Sequence, residues 1–137
     1  MLNEKLHDRI ISTADEYHLS AEDYWTQVVD LKPEGNEELD FEFRRLVRAA
    51  LVFYSRAYLE LDMVETDDSQ DLEDLLDIVL DQVPEFRDFF AKNDVMYAFG
   101  EDTGINLSRL FSVAEAVRTM LLEQSNQLAA SLNSRFS

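Results

Sequence analysis

Apolar residues recur along this chain every three or four positions, and nowhere do they alternate with polar ones for long enough to mark a strand. A first stripe, Leu2, Leu6, Ile10, Ala14 and Tyr17, predicts a helix from about Leu2 to His18. Ser20, followed by Ala21, Glu22 and Asp23, reads as the N-cap of a separate, shorter helix, because a hydroxyl and early acids suit a helix N-terminus. That piece carries Tyr24, Trp25, Val28, Val29 and Leu31 and is stopped by Lys32-Pro33-Glu34-Gly35. A long helix is predicted from an Asn36 cap to about Val64, striped by Leu39, Phe43, Leu46, Val47, Ala50, Tyr54, Ala57, Leu61 and Val64. Between Leu46 and Leu59 it is apolar on most sides, the pattern of a central, buried helix.

A third helix follows Asp67-Asp68-Ser69-Gln70-Asp71, with Leu72, Leu75, Leu76, Val79, Leu80 and Val83 on one face and Asp74, Asp77 and Asp81 on the other. Pro84 is expected at the start of a further short helix through Phe86, Phe89 and Phe90. Residues 93–105 read as a loop holding Met96, Tyr97 and Phe99, whose burial the spacing leaves open. A final helix is predicted from Asn106 to about Leu132, on Leu107, Leu110, Phe111, Ala114, Val117, Leu121, Leu128 and Leu132. The three Gly and two Pro cluster at the breaks, and there is no internal repeat. The expected fold is all-α: one domain over residues 1–137, a bundle of four main antiparallel helices plus short helical pieces.

Composition sharpens this picture. A chain of 137 residues with 46% hydrophobic content can bury a core without a metal or disulfide staple. The absence of Cys excludes thiolate zinc sites and thiol nucleophiles. The start of the chain is charged with both signs, and the longest uncharged apolar run, Ala49 to Tyr54, is six residues against the roughly 20 that span a bilayer. The sequence therefore reads as soluble and cytoplasmic, with no membrane partner.

Charge changes the picture further. The net charge is −17, and it is unevenly spread: −9 over residues 1–43, +4 over 44–59, −13 over 60–102 and +1 over 103–137. Such acidity argues against direct contact with nucleic-acid phosphates. The +4 stretch holds Arg44, Arg45, Arg48 and Arg56 and no acid. Two readings follow. In one, acidic helix faces are solvated and the arginines pair with carboxylates inside the bundle. In the other, Asp67, Asp68, Asp71, Asp74, Asp77 and Asp81 form a docking face for a basic protein. Close like charges on one helix cost a few tenths of a kcal/mol per pair, so their retention hints at use. Adaptation to a salty cytoplasm is a third source of acidity.

Catalytic chemistry finds little to work with. His7 and His18, three turns apart on one helix, are about 16 Å apart and cannot share a metal or a proton. Asp15 lies three residues before His18 and suits a supporting role there. Glu4-Lys5-Leu6-His7 is the one Glu-x-x-His of the chain, without the second that a di-metal bundle sets on a paired helix, and the acidic stretch from Asp62 to Asp74 lacks the central Gly of a calcium loop. No nucleophile elbow is present, and Gly100 and Gly104 flank Glu101-Asp102, which repels phosphate. No cofactor is expected.

Arg45-Leu46-Val47-Arg48-Ala49-Ala50-Leu51-Val52-Phe53-Tyr54-Ser55-Arg56-Ala57-Tyr58-Leu59 is an Ala- and Tyr-bearing helix. A polar turn, the Asp71-Leu72-Glu73-Asp74-Leu75-Leu76-Asp77 segment, a Pro-led short helix, an irregular loop and a long last helix follow it. Over roughly residues 36–132 this order resembles the HEPN superfamily of helical bundles of prokaryotic toxin–antitoxin and defence systems. Ribonuclease members carry Arg, four residues, then His near the start of the last helix. Here Arg109 is followed at that spacing by Ala114, and no His lies after His18. The resemblance therefore implies a non-catalytic member whose architecture commonly dimerises and acts through protein partners. The resulting expectation is a non-enzymatic interaction module. A nucleic-acid mimic that inhibits a basic nucleic-acid enzyme ranks second, and a carboxylate metal enzyme third.

Overall fold

The computed structural model describes residues 4–31, 37–100 and 104–135. Leu2, the Pro33–Gly35 break, the Asn36 cap and the Glu101-Asp102 pair lie outside them. Six helices and no strand are present among the described residues: α1 (Glu4–Asp30), α2 (Glu37–Leu61), α3 (Leu72–Gln82), α4 (Phe86–Lys92), α5 (Val95–Ala98) and α6 (Leu107–Ser134). The all-α expectation holds.

The central role of α2 follows from its burial. Six consecutive residues, Tyr54 to Leu59, are all buried. At about 100° per residue they sample every side of the helix, so no face of this stretch meets solvent. One apolar cluster draws on every helix, including Trp25, Leu51, Leu76, Phe90, Val95 and Val117. A smaller one, Ile10, Ala14, Leu61 and Leu132, closes the far end. Tyr54 meets Arg118 and Leu61 meets Leu132, so α6 runs parallel to α2. Ile10 meets Leu61 at one end and Glu22 meets Tyr54 farther along, so α1 runs antiparallel to both.

The break expected in α1 at Ser20 is absent: α1 is one helix of 27 residues. Ile10, Ala14, Ala21, Trp25 and Val28 are its buried residues. Ile10 and Val28 lie about five full turns apart, so the stripe before Ser20 stays in phase with the one after it. Burial of a single continuous stripe outweighs the few tenths of a kcal/mol that a mid-helix Ser costs.

The stretch 93–105 also differs from a plain loop. It contains α5, and Val95, Ala98 and Phe99 are buried while Tyr97 is 60% exposed. Pro84 sits in the turn before α4, whose N-cap is Glu85, rather than inside the helix. The backbone N–H of Phe86 bonds to the Val83 carbonyl at 3.0 Å and that of Arg87 to the Pro84 carbonyl at 3.0 Å, which closes this turn.

The end of α2 carries a testable strain. Val64 N–H reaches the Leu59 carbonyl at 2.9 Å and Met63 N–H the Glu60 carbonyl at 3.0 Å, the paired bonds of a Schellman terminator. Met63 occupies its left-handed position with φ 58°, where Gly is favoured. Its side chain is half exposed, so little packing is lost on truncation. Met63→Gly is expected to raise unfolding stability by about 0.5–1 kcal/mol in urea titration; an unchanged or lowered midpoint contradicts this account.

Candidate functional site

The six aspartates singled out from the sequence are all exposed. Asp74, Asp77 and Asp81 share the outer side of α3, while Asp67 and Asp68 lie on the preceding loop. The structure assigns several of them local duties. Asp71 caps α3, accepting the Asp74 N–H at 3.0 Å, and the Asp74 carboxylate accepts the Asp71 N–H in return at 3.4 Å. This capping box lies at the positive end of the helix dipole, where carboxylates are favoured. The Asp67 carboxylate accepts the Ser69 N–H at 2.8 Å, and these bonds hold it below the usual carboxylate range. Asp81 meets Arg87 at 2.8 Å in an exposed pair. No side-chain partner is found for Asp68 or Asp77 among the described residues.

The arginines of α2 do not neutralise this face. Arg48 pairs in a two-pronged manner with Glu73 (2.6 and 2.8 Å) and also donates to the Phe99 carbonyl, tying α2 to α3 and to the end of α5. The Arg48 bonds hold the Glu73 carboxyl below its ordinary value. Arg45 pairs with Glu42 on its own helix. Arg44 donates to the Ile105 carbonyl just before α6. Arg56, only 6% exposed, donates to Thr66 Oγ1 at 3.1 Å and to the carbonyls of Asp67 and Gln70 at 3.0 and 3.3 Å. Pairing with a carboxylate inside the bundle is thus found for Arg48, while Arg45 pairs at the surface of its own helix and Arg44 and Arg56 bond loop backbone. A buried guanidinium needs several acceptors to offset its lost hydration, and loop carbonyls supply them here.

A polar cluster that sequence reasoning missed joins α1, α2 and α6. Tyr54 O–H donates to Glu22 at 2.7 Å, and Arg118 donates from Nε to the Tyr54 oxygen at 2.7 Å and from Nη2 to Glu22 at 2.9 and 3.1 Å. The Arg118 guanidinium also lies 5.2 Å from the centre of the Trp25 ring and 5.3 Å from that of Tyr54. Burial first, and the Glu22 bond second, push the Tyr54 hydroxyl well above its ordinary value, so it stays protonated and donating. With both polar ends engaged and aromatic rings against the guanidinium, the cluster works as a three-helix clamp. Glu22 reads locally as a first-turn acid; its partners are 32 and 96 residues away.

The histidines are far apart in role. His7 bonds through Nε2 to Asn133 at 2.9 Å and ties the start of α1 to the end of α6. Burial lowers the His18 pKa from 6.5, against the opposing pull of Asp15 and Glu22, and its Nε2 has no bonding partner. Asp15 therefore acts on His18 through its field. Among the described residues no group of three or more His, Cys, Asp or Glu is placed to hold a metal ion. An apolar cleft of about 490 Å³ lies between α1, α2 and α6, lined by Val28, Phe43, Leu107 and Phe111. A second, of about 380 Å³, lies between α3, α4 and α5.

Two measurements separate these interactions. Arg118→Leu is expected to cost about 2 kcal/mol in chemical denaturation, since it removes bonds and ring stacking together. Glu22→Gln is expected to cost less than about 1 kcal/mol, because the carboxylate is half exposed and screened. Equal losses would contradict the clamp. For Glu73, a folded pKa held below 4.5 means that its stabilisation is complete above that value and is lost as pH falls through the folded value. The stability gap between wild type and Glu73→Gln, of about 1 kcal/mol at neutral pH, is therefore expected to shrink as pH falls below 4.5 and to close once pH is below the folded value. A gap that persists in acid contradicts the assignment.

No helix among the described residues is long and apolar enough to cross a membrane. Comparison with family models, with curated proteins and with solved structures finds no match for this chain.

Proposed function

We propose that this chain is a non-enzymatic interaction module that offers the outer side of α3 and its preceding loop to a basic protein partner. One observation carries the reading: the arginines of α2 take Glu42, Glu73 and loop carbonyls, and leave the six aspartates facing solvent. The charge of these six aspartates is thus available to a partner rather than spent on the arginines of α2. A basic partner would be drawn in by long-range attraction and would bind more weakly in salt. The resemblance of the element order to HEPN bundles, without their Arg-x4-His motif, supports the same reading. A homodimer, if formed, would use other faces, since two copies of this one repel.

Charge density ranks protein docking ahead of nucleic-acid mimicry. The 11 residues of α3 span about 16 Å. A duplex of that length carries roughly ten phosphate charges, whereas the outer side of α3 offers only Asp74, Asp77 and Asp81 beyond the Asp71 cap.

The test is native mass spectrometry of complexes captured from the source cells at low and at high salt. It compares wild type with an Asp74→Asn, Asp77→Asn, Asp81→Asn variant whose fold is checked by circular dichroism. A salt-sensitive complex that the variant loses at least about tenfold is the expected result. A chain that stays alone at both salt concentrations, or a complex indifferent to the variant, overturns the reading.

A further inference from the structure

We propose that the cleft between α3, α4 and α5 is the docking groove of this module and takes a segment of a partner protein in which one large apolar side chain stands between lysines or arginines. The inference rests on the acidic-face reading above and deepens it by naming where the partner is held and by what chemistry.

The groove joins an apolar floor to an acidic rim. Leu80 of α3 and Phe90 of α4 are the buried floor, Met96 of α5 is partly buried, and Tyr97, 60% exposed, stands at the edge. A large exposed aromatic beside an apolar cleft is the composition found at the energetic centres of protein interfaces. Its volume of about 380 Å³ suits one or two large side chains rather than a whole helix face.

The rim decides the occupant. Asp81 bonds Arg87, which lines the cleft, and Asp77 lies one turn earlier on α3, so the groove borders the outer side of α3. On the opposite wall Asp94, whose side chain makes no capping bond, lines the cleft. Arg87 itself lines the cleft and its charge is met by Asp81 at 2.8 Å, while Lys92 is met by Asp88 at 3.1 Å, both as exposed pairs. Exposed pairs of this kind contribute about 0–1 kcal/mol, so an incoming cation can displace Arg87 from Asp81 at little cost. A phosphate-bearing ligand or a second copy of this acidic segment would instead meet like charge. An apolar side chain flanked by cations satisfies floor and rim together.

Short synthetic peptides test this against the isotope-labelled full chain by NMR titration at low salt. The first carries a central Trp between pairs of Lys, the second Ala in place of Trp, and the third Glu in place of Lys. The Trp–Lys peptide is expected to shift the signals of Leu80, Phe90 and Met96. It is expected to bind about tenfold more tightly than the Ala–Lys peptide, the change that burial of an aromatic side chain supports. Tyr97→Ala, with its fold checked by circular dichroism, should lose several-fold in affinity. Arg87→Gln, which frees Asp81, should gain several-fold. If both Lys peptides bind equally and shift only residues of the Asp67–Asp77 stretch, the groove is overturned and the acidic-face reading stands. If neither Lys peptide binds, both fall. If the Trp–Glu peptide binds as well as the Trp–Lys peptide, the basic chemistry assigned to the partner is overturned.

Discussion

The constraint on which the rest of this structure depends is the complete enclosure of the Tyr54–Leu59 stretch of α2. Between Tyr54 and Leu59 the helix has no solvent-facing side, yet Arg56 lies within that stretch and Arg44 and Arg48 precede it. The guanidinium of each finds oxygen on a neighbouring segment. Three of the destinations are segments between helices: Ile105 before α6, Phe99 after α5, and Asp67 with Gln70 before α3. Carbonyls at helix ends and in turns have no helical partner of their own. One positive stretch of sequence thereby satisfies loop backbone and fixes how α3, α5 and α6 enter the bundle.

This arrangement has a consequence for the surface. Because the central cations are occupied largely by backbone oxygen and by two glutamates, the aspartates around α3 are not drawn inward. Some of them serve the helix itself, through the Asp71–Asp74 capping box and the Asp67 turn. Both duties leave the carboxylates at the surface, where all of them are exposed. Local helix stability and an electronegative exterior are thus compatible here. The cost is mutual repulsion of a few tenths of a kcal/mol per close pair, which the buried face of Leu72, Leu75, Leu76 and Val79 outweighs.

Errors of sequence reasoning in this chain share one origin. Ser20-Ala21-Glu22-Asp23 has the local chemistry of a helix start, but the apolar phase is continuous from Ile10 to Val28, and phase governs what is buried. Glu22 looks like part of that cap and is instead one corner of the Tyr54–Arg118 clamp. Similarly, Met96, Tyr97 and Phe99 sit in a stretch too short for periodicity to show. The burial of Phe99 and exposure of Tyr97 depend on how α5 lies against the rest of the core.

By itself the sequence determined the helical class, the central position of α2, the apolar faces of α3 and α6, and the segregation of acid from base along the chain. These follow from spacing over three or four residues and from composition, both of which are local. Tertiary structure alone decided that Arg48 meets Glu73, that Arg118 lies against Trp25 and Tyr54, and that Arg56 holds a loop rather than a carboxylate. It also placed Leu80, Phe90 and Tyr97 around one cleft beside Asp81. Such meetings join residues far apart in the chain, and they are set by the packing of whole helices, which local periodicity constrains but does not specify.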